Sequence, residues 1–170
     1  GVQSPGSGYQ NLMEFGETGG VSQIDILASF VRQAENAASE AGARLSLYLP
    51  VSALVGDSSL VYGASPVAMI GDSLMLGVMP SQYTYALTVG ETYLEAPAST
   101  PEQTVAASLA AALPQVPEGT RLLVLVQEYD AAGRAYTAAD VSAQIAAAEE
   151  AGIRQYIRYN TQGSYFDLGA

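Results

Sequence analysis

The sequence predicts an α/β domain built from successive parallel strand–helix units. Three observations carry this. Helices are announced by capping residues and by apolar positions three and four apart, the short apolar runs between them do not alternate, and the ends of those runs recur at about the spacing of one βα unit.

The first apolar run, Tyr9 to Phe15, is a weak strand. Over 22–41, Leu27, Phe30, Val31, Ala34, Ala37, Ala38 and Ala41 form an amphipathic helical pattern, with Ser22 as N-cap and Gly42 just past the end. Arg44 to Val51 and Ser73 to Met79 read as the next two strands. After Met79 comes a loop of about twenty residues holding Tyr83, Tyr85 and Tyr93 and ending in Pro97 and Pro101, a length usually reserved for functional or mobile segments. The second helix is expected at 101–113: Thr100 caps, Pro101 takes the first helical position, Gln103 completes a capping-box pattern, and Val105, Leu109 and Leu113 form the stripe before Pro114 stops it. Arg121 to Tyr129 contains Leu122-Leu123-Val124-Leu125-Val126, which suits a parallel strand covered on both faces. A third helix at 138–151 has Thr137 as cap, Val141, Ile145 and Ala148 on one face and Gly152 at its end, and Ile153 to Tyr159 is the last strand. Such units remain in one parallel sheet only through right-handed crossovers.

With 170 residues, 49% of them hydrophobic, the chain can bury a single core, so one domain is expected. The opening Gly-Val-Gln-Ser-Pro-Gly-Ser-Gly reads as a linker or a remnant at a cut point, leaving 9–170 as the domain. There is no cysteine and no histidine, so thiolate ligands, disulfides and the usual neutral-pH base are missing, and neither a metal nor a cofactor is expected. The six positive charges are all arginines, set against seventeen carboxylates for a net charge of −11. A field of that sign repels nucleic acid and anionic membranes, and no apolar run approaches the length of a membrane span. Neutral or cationic ligands fit better. An acidic, cysteine-free domain suits a secreted or cell-envelope protein.

The segment Leu123 to Tyr165 carries a distinctive order of residues. Gln127-Glu128-Tyr129 ends a strand, Gln144-Ile145 lies in the following helix, Gly152 precedes the last strand, and Tyr159-Asn160 closes it with Tyr165 downstream. This resembles the C-terminal part of an uncharacterised family of glycosyl-hydrolase-like TIM barrels. Asp72 and Met79-Pro80-Ser81-Gln82-Tyr83 are similar to that family's residues around its sixth strand, and Met13-Glu14-Phe15 to its Phe-Asp-Tyr at the fourth. Two departures stand out. The family's Arg-Phe-Pro after the fourth-strand acid is replaced by Glu17-Thr18-Gly19, and its last-strand Trp by Tyr159. Eight strands need about 250 residues, so the resemblance implies a partial (β/α) barrel holding about the last five of eight units. Its open edges would be completed by self-association or by a partner chain.

The resemblance also implies chemistry. Glycosidases use two carboxylates across the scissile bond, and in a TIM barrel strand-end residues converge on one face, which nominates Glu14 and Glu128 as the catalytic pair. The bland alternative is that both are solvated strand-end carboxylates. Eleven tyrosines and no tryptophan suggest sugar-stacking faces, so Tyr83, Tyr129 and Tyr159 are candidate glycan-binding residues, with Gln127 and Asn160 hydrogen-bonding sugar hydroxyls. Any single tyrosine could instead fill core or sit alone on a loop. Ile70-Gly71-Asp72-Ser73-Leu74 matches a Gly-Asp-Ser-Leu esterase block, but a serine nucleophile needs a base and the chain has neither histidine nor lysine. Ser73 is therefore read as the start of a strand. Two functions remain open: a domain that binds or cleaves a glycan, and a non-catalytic carbohydrate-binding or assembly module that has lost the chemistry.

Overall fold

The computed structural model describes residues 23–55, 65–83, 85–130 and 133–169. The expected linker at 1–8, the strand at 9–15 with Glu14, and the Ser22 cap lie outside these residues. Four parallel strands form one sheet: β1 (Leu47–Pro50), β2 (Ser73–Val78), β5 (Arg121–Gln127) and β6 (Tyr156–Tyr159), in the spatial order β1-β2-β5-β6. Among the described residues the sheet does not close, so the architecture is that of a partial barrel with β1 and β6 at its edges.

The helices form where their signals lie. Helix α1 spans Gln23–Glu40, a single helical turn α2 spans Ser52–Val55, α3 spans Pro101–Ala112, and α4 spans Ala138–Glu150. Thr137 Oγ1 accepts from the Asp140 amide while the Asp140 carboxylate accepts from the Thr137 amide, a reciprocal box that satisfies two donors at the start of α4. At the far ends of α1 and α4, Gly42 and Gly152 take φ of 72° and 86°, a left-handed conformation that lets the next amides, of Ala43 and Ile153, bond back to Ala38 and Ala148.

Three local expectations need correction. Thr100 does not cap α3: its hydroxyl donates to the Ala96 carbonyl at 3.0 Å, so the box with Gln103 does not form and Pro101 alone suits the first turn. Phe30 is not on the buried face of α1 but 68% exposed, because Ile24, Ala28 and Val31 set the face and a residue two beyond Ala28 points to the opposite side. The expected loop after Met79 contains an antiparallel hairpin, β3 (Leu87–Val89) and β4 (Thr92–Leu94), turned by Gly90-Glu91 and seated through Val89 and Leu94 on Ala107 of α3. A glycine-led two-residue turn between short apolar segments is the signal that marks it.

The core lies between the sheet and its helices. Leu49, Leu74, Leu76, Val78, Val124 and Val126 supply one sheet face, and Val105 and Leu109 of α3 and Val141 and Ile145 of α4 pack with them. Truncating any of the fully buried leucines to alanine would cost about 2–5 kcal/mol. Small buried residues on α3 (Ser108, Ala112) and α4 (Ala147, Ala148) suit the close packing of these two helices. At the foot of the sheet, Ser73 is buried and shares a 2.6 Å hydrogen bond with the Ser46 hydroxyl. This is the amino end of β2, where Ser73 starts a strand and presents no exposed nucleophile.

Candidate functional site

Parallel strands deliver their carboxyl-terminal ends to one rim, and in barrels of this kind the chemistry gathers there. At this rim β5 ends in Gln127, followed by Glu128, Tyr129 and Asp130, while β6 ends in Tyr159, followed by Asn160. The parallel register sets Gln127 opposite Tyr159 and Val126 opposite Arg158. The Glu128 amide continues the ladder to the Tyr159 carbonyl at 2.9 Å.

Glu128 is fully buried, and its carboxylate has three donors. Arg158 Nε and Nη2 reach its two oxygens at 2.5 Å each, and the Phe166 amide donates to Oε1 at 2.5 Å. Arg158 Nη2 also donates to the Phe166 carbonyl at 2.5 Å. The hydrogen bonds to Glu128 raise the Arg158 pKa above its ordinary value. A fork of this kind fixes the plane of the carboxylate. Residues 160–168 are thereby strapped across the ends of β5 and β6, and a cavity of about 210 Å³ remains beside Glu128, lined among others by Tyr129, Asp130, Asn160, Ser164 and Tyr165.

The amides of this region serve the protein itself. Gln127 has no exposed surface; its Oε1 accepts from the Ser81 amide at 3.1 Å and its Nε2 donates to the Tyr129 carbonyl at 3.0 Å. Gln144, buried on α4, holds the Gln127 backbone on both sides, accepting from its N–H at 3.2 Å and donating to its C=O at 2.9 Å. Asn160 Nδ2 donates to the Glu128 and Ser164 carbonyls, and its Oδ1 accepts from the Gln162 amide at 2.7 Å. Gln127 and Asn160 thus shape the loops around Glu128 and Tyr129.

The tyrosines form the accessible part. Tyr129 and Tyr159 meet edge to face with centroids 6.0 Å apart, and the Tyr129 hydroxyl points to Met79 Sδ at 4.0 Å. Tyr48 of β1 joins them. Burial raises its pKa, and the neighbouring charges of Tyr159 and Tyr129 add to the rise. Tyr83 is raised in the same way, first by burial and then by Tyr48. Four tyrosines from β1, the β2–β3 connection, and the ends of β5 and β6 therefore converge, and three of them, Tyr83, Tyr129 and Tyr159, are nominated by the sequence. Tyr48 was not nominated because it lies within a strand, although it stands only two residues before that strand's end. Asp130, which accepts from the Tyr136 amide at 2.8 Å, and Arg158 were also missed. Asp130 follows Glu128 by two positions, and Arg158 is the charged residue in an otherwise aromatic and aliphatic edge strand.

A larger cavity, about 590 Å³, opens at the opposite end, lined among others by Glu35, Arg44, Asp72 and Arg121. It lies at the amino ends of the strands, the face that serves stability in such folds. Among the described residues no cluster of acidic side chains could hold a metal ion, and no helix is long and apolar enough to cross a membrane.

The parallel strand–helix architecture is shared with glycosyl-hydrolase-like proteins. Residues 2–165 match the family described as "Putative glycosyl hydrolase domain", and the chain belongs to that family. Among solved structures it is similar to the PgaB (BpsB) glycoside hydrolase domain from Bordetella bronchiseptica, with a TM-score of 0.58 and 20% identity over 81% of this chain and 37% of that one. The likeness is one of fold, and this chain spans little more than a third of that domain's length. No curated protein matches.

Proposed function

We propose that this chain handles a glycan at the carboxyl rim of its sheet, with Tyr83, Tyr129 and Tyr159 stacking on sugar rings and Glu128 and Glu14 as the catalytic carboxylates. The convergence of tyrosines from separate elements on one rim carries the reading, since aromatic faces pack on the apolar faces of sugars while their hydroxyls reach polar partners. Membership of the family supports it.

The geometry of Glu128 constrains its role. Both carboxylate oxygens of Glu128 are held by Arg158, so catalysis by Glu128 would require the fork to present one of them to the sugar. The sequence as a whole, acidic and free of cysteine, suits a secreted or envelope location.

A second reading, a carbohydrate-binding module without catalysis, is favoured by one observation. All three donors around Glu128 come from the protein itself, as they would for a carboxylate whose task is to hold the strap in place. Incubation with a panel of neutral tetrasaccharides, following both binding and release of shorter sugars, separates the two. Hydrolysis that vanishes in both Glu128→Gln and Glu14→Gln supports catalysis. Binding without hydrolysis, weakened in Tyr129→Ala, supports the module, and binding of none of the panel overturns the glycan reading.

A further inference from the structure

Helices cover one face of the sheet. On the other, Tyr48 of β1 is 44% exposed. In the parallel register Tyr48 pairs with Met75 and Pro50 with Gly77, so Tyr48 and Gly77 are diagonal neighbours, with Gly77 nearer the carboxyl rim. The ring leans along its strand toward that rim, as strand side chains commonly do.

Gly77 makes this posture available. A Cβ at this position would lie 2.6 Å from Tyr48 Cε2 and 2.7 Å from Cζ, far inside contact distance, so only glycine lets the phenol end of the ring lie down on the backbone. Glycine inside a strand otherwise weakens it and commonly marks the close approach of another group. Here the approaching group is Tyr48. The ring lies within electrostatic reach of Tyr83, Tyr129 and Tyr159.

We propose that Tyr48, laid across Gly77, is a stacking platform for one pyranose ring, continuing the tyrosine site from the rim down onto the open face of the sheet. The inference rests on the glycan reading of the rim and deepens it by adding a subsite. A sugar without anionic groups is the occupant that fits: the ring offers a broad apolar face, the nearby phenols offer hydroxyls that donate and accept, and a chain of net charge −11 repels anions.

The test uses the 170-residue chain with cello-, chito-, malto- and laminaritetraose, titrated by calorimetry. Four variants are compared, each checked for folding by circular dichroism. Tyr48→Ala removes the platform, Tyr48→Phe keeps it without the hydroxyl, Gly77→Ala lifts it off the sheet while keeping every tyrosine, and Tyr129→Ala reports on the rim. For the tetrasaccharide that binds, Tyr48→Ala and Gly77→Ala should each weaken Kd by about tenfold and Tyr48→Phe by about twofold or less. In the wild-type complex the C–H protons of one sugar ring should move upfield under the ring current, and that shift should vanish in Tyr48→Ala. If Tyr129→Ala weakens binding while Tyr48→Ala and Gly77→Ala leave Kd and the upfield shift unchanged, the platform is overturned and the rim reading stands. If no tetrasaccharide binds, or none of the variants matters, the rim reading fails with it.

Discussion

Arg158 on the edge strand covers both carboxylate oxygens of Glu128 on its neighbour, Nε to Oε2 and Nη2 to Oε1, each at 2.5 Å. The acid is fully buried and the guanidinium side chain 26% exposed. Removing the arginine would leave a buried charge with one amide donor. Arg158→Ala is therefore expected to lower unfolding stability by about 3 kcal/mol in urea, with Arg158→Lys intermediate because an ammonium cannot span both oxygens. Equal stability of all three proteins would show that the fork contributes nothing net.

Gln144 presents the converse case, a neutral side chain holding the two backbone groups of Gln127. Gln144→Met keeps the volume and removes both partners inside a buried site. The expected loss is about 1–3 kcal/mol, read from the urea midpoint at unchanged slope. A change below about 0.5 kcal/mol would mean that the β5 backbone finds other partners.

Acid sensitivity centres on Asp140. Burial alone would raise its pKa, but the hydroxyl and amide of Thr137 together with the Arg134 guanidinium outweigh that and hold the carboxyl below the usual carboxylate range. A depressed pKa stabilises the fold above the unfolded value, near 4, and the contribution disappears as pH falls through the folded value. Asp140→Asn should thus be less stable than the parent by about 1–2 kcal/mol at pH 7, and the gap should narrow at pH 3. A gap that does not change with pH would assign the effect to hydrogen bonding alone.

Alkaline behaviour should be set by Tyr136. Burial pushes its pKa up to about 12, and only the nearby Arg134 works in the other direction to any extent. The native state thus holds this proton more tightly than the unfolded chain, so the stabilisation is present below about pH 10 and is lost as pH rises through the folded value. Absorbance at 295 nm should show the last tyrosine ionisation occurring together with unfolding, and Tyr136→Phe should remove that last step. A late step that persists in the variant would assign it to another tyrosine.

What the sequence disclosed follows the range of the interactions involved. Thr137, Gly42, Gly152 and the non-alternating Leu122 to Val126 act on the backbone within a few residues, and the elements they mark are present. The stripe Val141, Ile145 and Ala148 was legible for the same reason. Thr100 misled because its hydroxyl had a competing carbonyl four residues upstream, which composition does not reveal. Phe30 misled because bulk hydrophobicity was counted before the register of α1 was known. At the rim, Tyr83, Tyr129 and Tyr159 were legible from residue type and strand ends. The clamp of Arg158 on Glu128 was not, because it depends on the inter-strand register, and neither was the seat of Tyr48 on Gly77, which lies 29 positions away in the numbering.

The strap has a further consequence for how the molecule opens. Among the described residues strand β6 pairs only with β5, and it carries half-exposed Tyr156, Ile157 and Tyr159, the profile of an edge that would fray from its end. Yet the Phe166 backbone is bonded both to Glu128 beside β5 and to Arg158 within β6, so the strap cannot lift without disturbing the fork and the strand cannot peel without dragging the strap. The last strand and the segment after it should consequently behave as one cooperative foldon. Its signature is a shared opening free energy in native-state amide hydrogen exchange across Ile157, Tyr159 and Phe166, in place of protection that declines steadily toward the end of the chain.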